Sequence, residues 1–413
     1  MLIFQAILGI ALFAALAWLV SHDRARVRWS VVGVAFGAQV VLALLFTQVP
    51  GAQQVLLALN VVVTALEQAT LEATQFLFGF LAGAPAPYAV AHPEHNVVVA
   101  LRVLPLIMVV SALSAVLFHV GVLPRIIGWM ARGIQRLFRV SGPLAFAAAA
   151  SVFLGIIESP LVIRPYLSRM RRDELFATMV CGMSTVAGTV MVLYASVLEG
   201  AITGALGHVV IASVISVPAA LGLAHIMEPG DPDHAPTPVS FEPKTTNVME
   251  ALIEGTLDGL KMVVHIAAII IVLFALVNLV NKGLGALPAW DQAPVTLQRL
   301  FGVLLRPVMW LTGIGWKQTQ VAGELFATKI ILNEFVAYLQ FAELTQHMDA
   351  RARRVMMYAM CGFANIGSLG ILVGGLGSIV PERRAEIIEL GTRAVLAGAL
   401  ATLTTGALIG LLT

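Results

Sequence analysis

Two glutamates stand on apolar stretches, where a charge is costly. Glu158 lies in SVFLGIIESPLVIRPYLSRM (151–170) and Glu334 in LNEFVAY (332–338). A carboxylate inside an apolar segment of a membrane chain marks a functional site. A pair of them suits two chemistries. One is accepting hydrogen bonds from the hydroxyls of a bound solute; the other is acid–base work in a membrane-embedded enzyme. A third, structural use is holding the backbone N–H groups of their own segments, since buried carboxylates need partners in any case. Ser159-Pro160 interrupts the helix beside Glu158, because Pro160 has no N–H and crowds the preceding turn. The apolar run before the interruption falls short of the roughly 20 residues needed to cross a hydrocarbon core of about 30 Å. The pattern predicts a re-entrant hairpin at 143–168 with Glu158 at its tip. Irregular backbone at that depth survives only against protein or a water-filled cavity, so the tip reads as the wall of a solute site.

The composition supplies the membrane. The 413 residues are 59% hydrophobic and 12% charged, with a mean hydropathy of +0.91, whereas a soluble chain carries about 25% charge. A net charge of +2 and the lack of a basic tract argue against a nucleic-acid partner. Two cysteines, Cys181 and Cys361, form neither a disulfide framework nor a metal cluster. The opening MLIFQAILGIALFAALAWLV has no basic n-region or clear cleavage site and reads as a retained first membrane helix.

Eight membrane helices are predicted, over 2–20, 31–48, 97–120, 173–198, 206–227, 250–280, 353–379 and 385–411. Residues 53–80 mix Glu67, Gln68 and Glu72 with apolar residues, which suits an interfacial helix, and RIIGWMARGIQRLFRV (125–140) reads as a basic amphipathic surface helix. The stretches 83–95 and 228–246 are turn-rich linkers. Residues 284–317 are mixed, and a second polar-tipped hairpin is expected at 318–345. On its first limb, Glu324 has Lys329 and Lys317 as candidate partners. The basic loops 22–28, 124–139, 164–172 and 381–384 fall on one side by alternation. That side is read as cytoplasmic, with both termini outside, although Arg351, Arg353 and Arg354 then lie outside too.

The second half echoes the first. Glu158 is followed by Cys181 in CGMSTVAGT, and Glu334 by Cys361 in CGFANIGSLG. Each unit is a polar-tipped broken segment, a basic stretch, then a helix with Cys-Gly and small polar residues. Alternation gives the two units opposite topology, and inverted repeats with broken helices at mid-membrane belong to secondary transporters. The fold class expected is therefore an all-α polytopic membrane protein with about eight membrane helices, two re-entrant hairpins in an inverted repeat, and interfacial helices. The predicted division is 1–140 (mainly scaffold), 141–227 (first transport repeat), 228–317 (scaffold) and 318–413 (second transport repeat).

GIIESPLVIRPYLSRM (155–170), VAGELFATKIILNEFVAY (321–338) and CGFANIGSLGILVGGLGSIVPERR (361–384) are long and position-ordered. In them the chain resembles the concentrative nucleoside transporter family, from about residue 100 to the end. The resemblance implies a homotrimer in the plasma (inner) membrane that imports nucleosides against a cation gradient by alternating access. It implies ribose contacts at Glu158, Glu334, Asn365 and Ser368, with Asn333 and the aromatic Phe363 beside them; the structural alternative for Asn365 and Ser368 is capping a break in the helix expected over 353–379. Two departures stand out. Ile156 and Ile157 replace a Gln-Thr pair that faces the base in the family, and Ser151 replaces an Asn sodium ligand. The family's other sodium ligands match Leu154 and Val186 through carbonyls and Thr185 through its hydroxyl. A hydroxyl where an amide carbonyl is usual leaves sodium and proton as candidate coupling ions, with no other cofactor implied. No H-E-x-x-H, G-x-S-x-G or P-loop supports an enzyme. The runners-up are an enzyme using the paired carboxylates and a transporter of a different small polar solute.

Overall fold

The computed structural model describes residues 2–89, 98–198, 200–230, 245–289 and 294–412, and the regular elements among them are helices. Parts of both predicted linkers, residues 90–97 and 231–244, lie outside the described residues. The first third comprises α1 (Leu2–Leu19), α2 (Trp29–Gln48), α3 (Pro50–Phe78), α4 (Val99–Arg102), α5 (Leu106–His119) and α6 (Val122–Phe138). Pro105 parts α4 from α5, so the helix expected over 97–120 is interrupted, as a ring that lacks an N–H requires. The region predicted to lie along the interface is the continuous helix α3, packed on α2, α5 and elements further along the chain.

The first hairpin follows as α7 (Gly142–Ala150), α8 (Glu158–Val162) and α9 (Arg164–Leu167). The helix expected over 173–198 is two helices, α10 (Arg172–Ser184) and α11 (Gly188–Leu198), separated by Thr185–Ala187. Next come α12 (Ala205–Met227) and the 37-residue α13 (Val248–Leu284). The amphipathic α14 (Leu297–Leu311) leads into the second hairpin, α15 (Thr319–Ile331) and α16 (Glu334–Leu344). The helix expected over 353–379 is likewise divided into α17 (Ala350–Met360) and α18 (Ile366–Ile379), before α19 (Arg384–Leu412). Among the described residues, seven helices are long and apolar enough to cross a membrane, against the eight expected. The shortfall is this division: α17 carries Arg351, Arg353 and Arg354, and α18 has only 14 residues.

The order of hairpin, broken helix and long helix thus occurs twice, as α7 to α12 and as α15 to α19. Helices α10, α12, α17 and α19 pack together, with α1 and α2 laid on α12 and α19. The four basic loops gather at one end of the bundle. Arg383 donates to the carbonyls of Leu167 (2.8 Å) and Met170 (2.6 Å). Arg172 pairs with Glu228 (3.0 Å) and Glu389 (2.6 Å), and Arg28 donates to the Gly230 carbonyl (3.2 Å). Arg139 lines a small cavity together with Arg171, Asp173 and Glu228 at the same end. Arg351 binds the Gly313 carbonyl (3.2 Å) at the opposite end, where the chain also starts.

Helix α13 stands apart, with most of its apolar surface facing outward and one stripe pressed on α5. Gly255 and Gly259 make that contact possible. A Cβ on Gly255 would sit 2.6 Å from the Ala115 Cβ, and one on Gly259 would sit 2.7 Å from the Met108 Cα. Small residues one turn apart let helix backbones approach this closely in lipid. Gly255→Leu or Gly259→Leu is expected to push α13 off α5, at a cost of about 1–3 kcal/mol or more. Purified protein in detergent should unfold at a clearly lower temperature, whereas Gly283→Ala, where a Cβ meets open space, should not. Unchanged melting of both leucine variants would refute the packing argument.

Candidate solute site at the hairpin tips and helix breaks

The first tip is built from small residues. Helix α7 is Ala-rich and wholly buried, and Ser141 caps its start by accepting from the Leu144 N–H (3.4 Å). After Ala150 the chain leaves the helix. Ser151 Oγ donates to the Ala148 carbonyl (2.9 Å), and the Leu154 N–H to Ala150 (2.8 Å). The Phe153 carbonyl then accepts the N–H of Gly188 (2.9 Å), tying the tip to the break between α10 and α11. Glu158 opens α8 and remains exposed. Its carboxylate lies over Gly155, in the place that a side chain there would take, and is held by the backbone N–H groups of Ile157 and of Glu158 itself. Ile156 and Ile157 do not point the same way. Ile156 is buried on Gly182 of α10, where an added Cβ would sit 3.3 Å from its Cγ1. Ile157 seats on Gly375 of α18.

The second tip is tighter. Asn333 caps α16 through Oδ1, which accepts from the Val336 N–H (2.9 Å). Its side chain is thus turned toward its own helix, a structural use. Glu334 is buried, and each of its oxygens has a partner. Tyr194 OH of α11 donates to Oε1 (2.6 Å), and Asn365 Nδ2 donates to Oε2 (2.7 Å). Asn365 also caps α18, its Oδ1 accepting from the Ser368 N–H (2.7 Å). One amide therefore both starts the second half of the broken helix and aims a donor at the hairpin carboxylate. Tyr194 is locked by rings on α16, Phe335 at 6.4 Å and Tyr338 at 5.0 Å between centroids.

Tyr194 was missed in the sequence. The signal was a phenol inside VMVLYASVL, because a buried tyrosine hydroxyl finds a hydrogen-bond partner. Glu324 takes the Gln320 amide (2.6 Å), and the buried Lys329 Nζ has no hydrogen-bond partner, so those two do not pair as expected. No hydrogen bond joins Glu158 to Glu334 among the described residues. The hairpins meet instead through the breaks they touch. The half-buried Phe363 gives its N–H to the Thr185 carbonyl (3.3 Å), joining one interruption to the other.

The residues proposed for a cation lie around that junction. Ser151 and Thr185 are buried, and their hydroxyls donate to backbone carbonyls, Thr185 to Cys181 at 2.9 Å. That leaves the lone pairs of both oxygens available. The Val186 N–H is fixed by Ser213 Oγ of α12 (3.2 Å). The Phe153–Gly188 bond brings the turn holding Ser151 and Leu154 against the break holding Thr185 and Val186. An oxygen-only donor set of hydroxyls and carbonyls suits a hard cation.

Comparison with known proteins agrees with this architecture. The model described as the Na+ dependent nucleoside transporter N-terminus matches residues 8–81, and its C-terminus counterpart matches residues 208–410. A further model, described as nucleoside recognition, matches 100–200. The chain is 34% identical to an uncharacterized transporter of Haemophilus influenzae, over 100% of this chain and 98% of the other. It is 32% identical to the nucleoside permease NupC of Helicobacter pylori, over 98% of this chain and 97% of the other. The structure of CNTnw in an inward-facing substrate-bound state superposes with a TM-score of 0.89 at 32% identity, covering 100% of this chain and 98% of that one. A variant of that protein in an outward-facing state superposes at 0.90. With its family models spanning most of the sequence, and with paired hairpins locked onto paired helix breaks, the chain belongs to the concentrative, Na+-dependent nucleoside transporter family.

Proposed function

We propose that the protein imports nucleosides across the plasma membrane, coupled to a cation gradient, by alternating access. The observation that carries this reading is the junction itself. Both hairpin tips and both helix breaks are joined there by hydrogen bonds, with Glu334, Asn365 and Tyr194 converging on one buried point. Ribose presents hydroxyl donors, and a carboxylate is their strongest acceptor. In this reading Glu334, Asn365 and Ser368 hold the sugar from one side and Glu158 from the other. Phe363 lies against the base, and Ile156 and Ile157 supply apolar contacts. Asn333 acts by capping the helix that carries Glu334. Acid–base enzymology is the weaker alternative, since the relatives are described as transporters. The proposal includes the homotrimer implied by the resemblance. Leu252, Leu257, Val264, Ile271 and Leu279 give α13 an apolar outer surface that suits lipid or neighbouring protomers. It also includes the division into a scaffold and a transport unit made from the two repeats.

For the coupling ion we propose sodium, bound by the oxygens of Ser151, Leu154, Thr185 and Val186. A serine hydroxyl reaches less far than an asparagine amide and is a poorer ligand, so the site should be weak.

Glu334→Gln keeps an acceptor for Asn365 but turns an NH2 toward Tyr194, whose hydroxyl must then accept rather than donate, and the negative charge is lost. Loss of one charge-assisted bond costs roughly 1.5–3 kcal/mol, and nucleoside affinity is expected to drop about ten- to hundredfold. Glu158→Gln should lose a similar amount, and a folded variant with wild-type affinity would remove that residue from the site. Competition with analogues offers a second check. Removing the 2′- or 3′-hydroxyl should weaken inhibition strongly, while exchanging uridine for cytidine should matter little; the reverse ranking would overturn the ribose-centred mode. In proteoliposomes, uptake should rise with an inward sodium gradient, and Ser151→Asn should lower the sodium concentration needed for half-maximal uptake. Uptake that follows a proton gradient and ignores sodium would refute the sodium assignment.

A further inference from the structure

Lys329 sits in the last turn of α15, on the limb that leads into Glu334. It is fully buried, and its Nζ has no hydrogen-bond partner. The Phe326 ring lies 5.2 Å away and offers only the weak attraction of a π face. An ammonium buried without compensation costs many kcal/mol, and chains tolerate one where an opposite charge shares its surroundings. The carboxylate sharing its surroundings is Glu334, which opens α16 just beyond the end of α15. The groups facing Glu334 come from several elements: Tyr194 from α11, Asn365 at the start of α18, Tyr338 from α16 and Lys329 from α15. Tyr194 and Asn365 donate hydrogen bonds but carry no charge. Lys329 is the cation among these described groups.

We infer that Lys329 is a positioning residue for solute binding, its ammonium keeping Glu334 in the ionised form that accepts the hydroxyls of the solute. The inference rests on the transport reading of this site and extends it to a residue that touches no solute. The two side chains do not bond directly, so the lysine acts by charge alone. The carboxylate then stays free for one further donor beside those of Tyr194 and Asn365. A lysine beside Glu334 offsets the charge of that carboxylate.

A double-mutant cycle tests the charge relation without any solute. Thermal stability in detergent is measured for wild type, Lys329→Met, Glu334→Gln and the double variant. Each single change strands one buried group, and the double change removes both. The double variant is therefore expected to melt higher than the sum of the two single losses allows. Uptake is then followed against pH in proteoliposomes, with equal pH inside and out. In Lys329→Met the acidic limb of the profile should move up by about one pH unit or more, a loss of about tenfold at a pH on that limb. A lysine that merely fills space would give additive stability losses and an unmoved limb, and either result overturns the inference. Should Lys329→Met fail to fold, the double variant decides: a folded double variant supports the charge relation, and an unfolded one refutes it. A coupled cycle in a wild type that takes up no nucleoside would refute the transport reading alone.

Discussion

The structure depends on satisfying peptide groups at membrane depth. Helices are continuous in lipid because each unpaired N–H or C=O costs several kcal/mol there, yet this chain breaks its helices at 151–157, 185–187, 332–333 and 361–365. Each break is repaired by another part of the same cluster. The Gly188 N–H goes to Phe153, the Phe363 N–H to Thr185, and the Val186 N–H to the Ser213 hydroxyl. Asn333 and Asn365 close the helix starts that follow the second pair of breaks. The breaks therefore exist only as a set, and removing one leaves orphaned groups in its neighbours. Close approach is the accompanying requirement. Gly362 faces the Ser184 carbonyl and Gly398 faces Met183, where a Cβ would stand 3.0 Å and 2.6 Å away. The candidate solute site thus coincides with an arrangement in which interrupted backbone is satisfied by its own cluster.

Much of this was legible in the sequence because the relevant signals are local. Pro160 and Glu158 marked the first tip, Asn333-Glu334 the second, and the apolar runs marked most of the membrane helices. The repeat was visible in the two Cys-Gly stretches. The break inside 173–198 was not visible, and the one inside 353–379 was visible only as an alternative use of Asn365 and Ser368. Neither contains a proline, and small polar residues such as Ser184, Thr185 and Ser368 are compatible with continuous membrane helices. What breaks them is tertiary: the Phe153 carbonyl and the Thr185 carbonyl offer partners that compete with the helix ladder.

Tyr194 and Lys329 were lost to a different cause. A tyrosine and a lysine inside apolar helices have many uses, and their meaning here is set by what lies across the interface. Tyr194 comes from the first repeat and Glu334 from the second, so no pattern within either segment links them. Glu324, for which Lys329 and Lys317 were the candidate partners, instead accepts from the amide of Gln320.

Alternating access requires one body to move as a unit past another, and the distribution of adhesion fits that demand. Helices α10, α11, α12 and α19 bury most of their surface, whereas α13 buries very little. At one end the buried group is cross-tied by ions: Glu228 is shared by Arg172 and Arg393, Arg172 reaches Glu389, and Arg393 also binds the Met227 carbonyl (2.6 Å). Charge-assisted bonds hold fixed geometry and break as a group, so they favour rigidity over sliding. By contrast, α13 meets α5 through glycines and apolar side chains, and a hydrogen bond between His119 and Thr245 (2.7 Å) ties the end of α5 to the segment entering α13. A surface of that kind holds two helices together by shape. The ionic ties therefore stiffen one end of the buried helices, while α13 rests on α5 by close apolar packing.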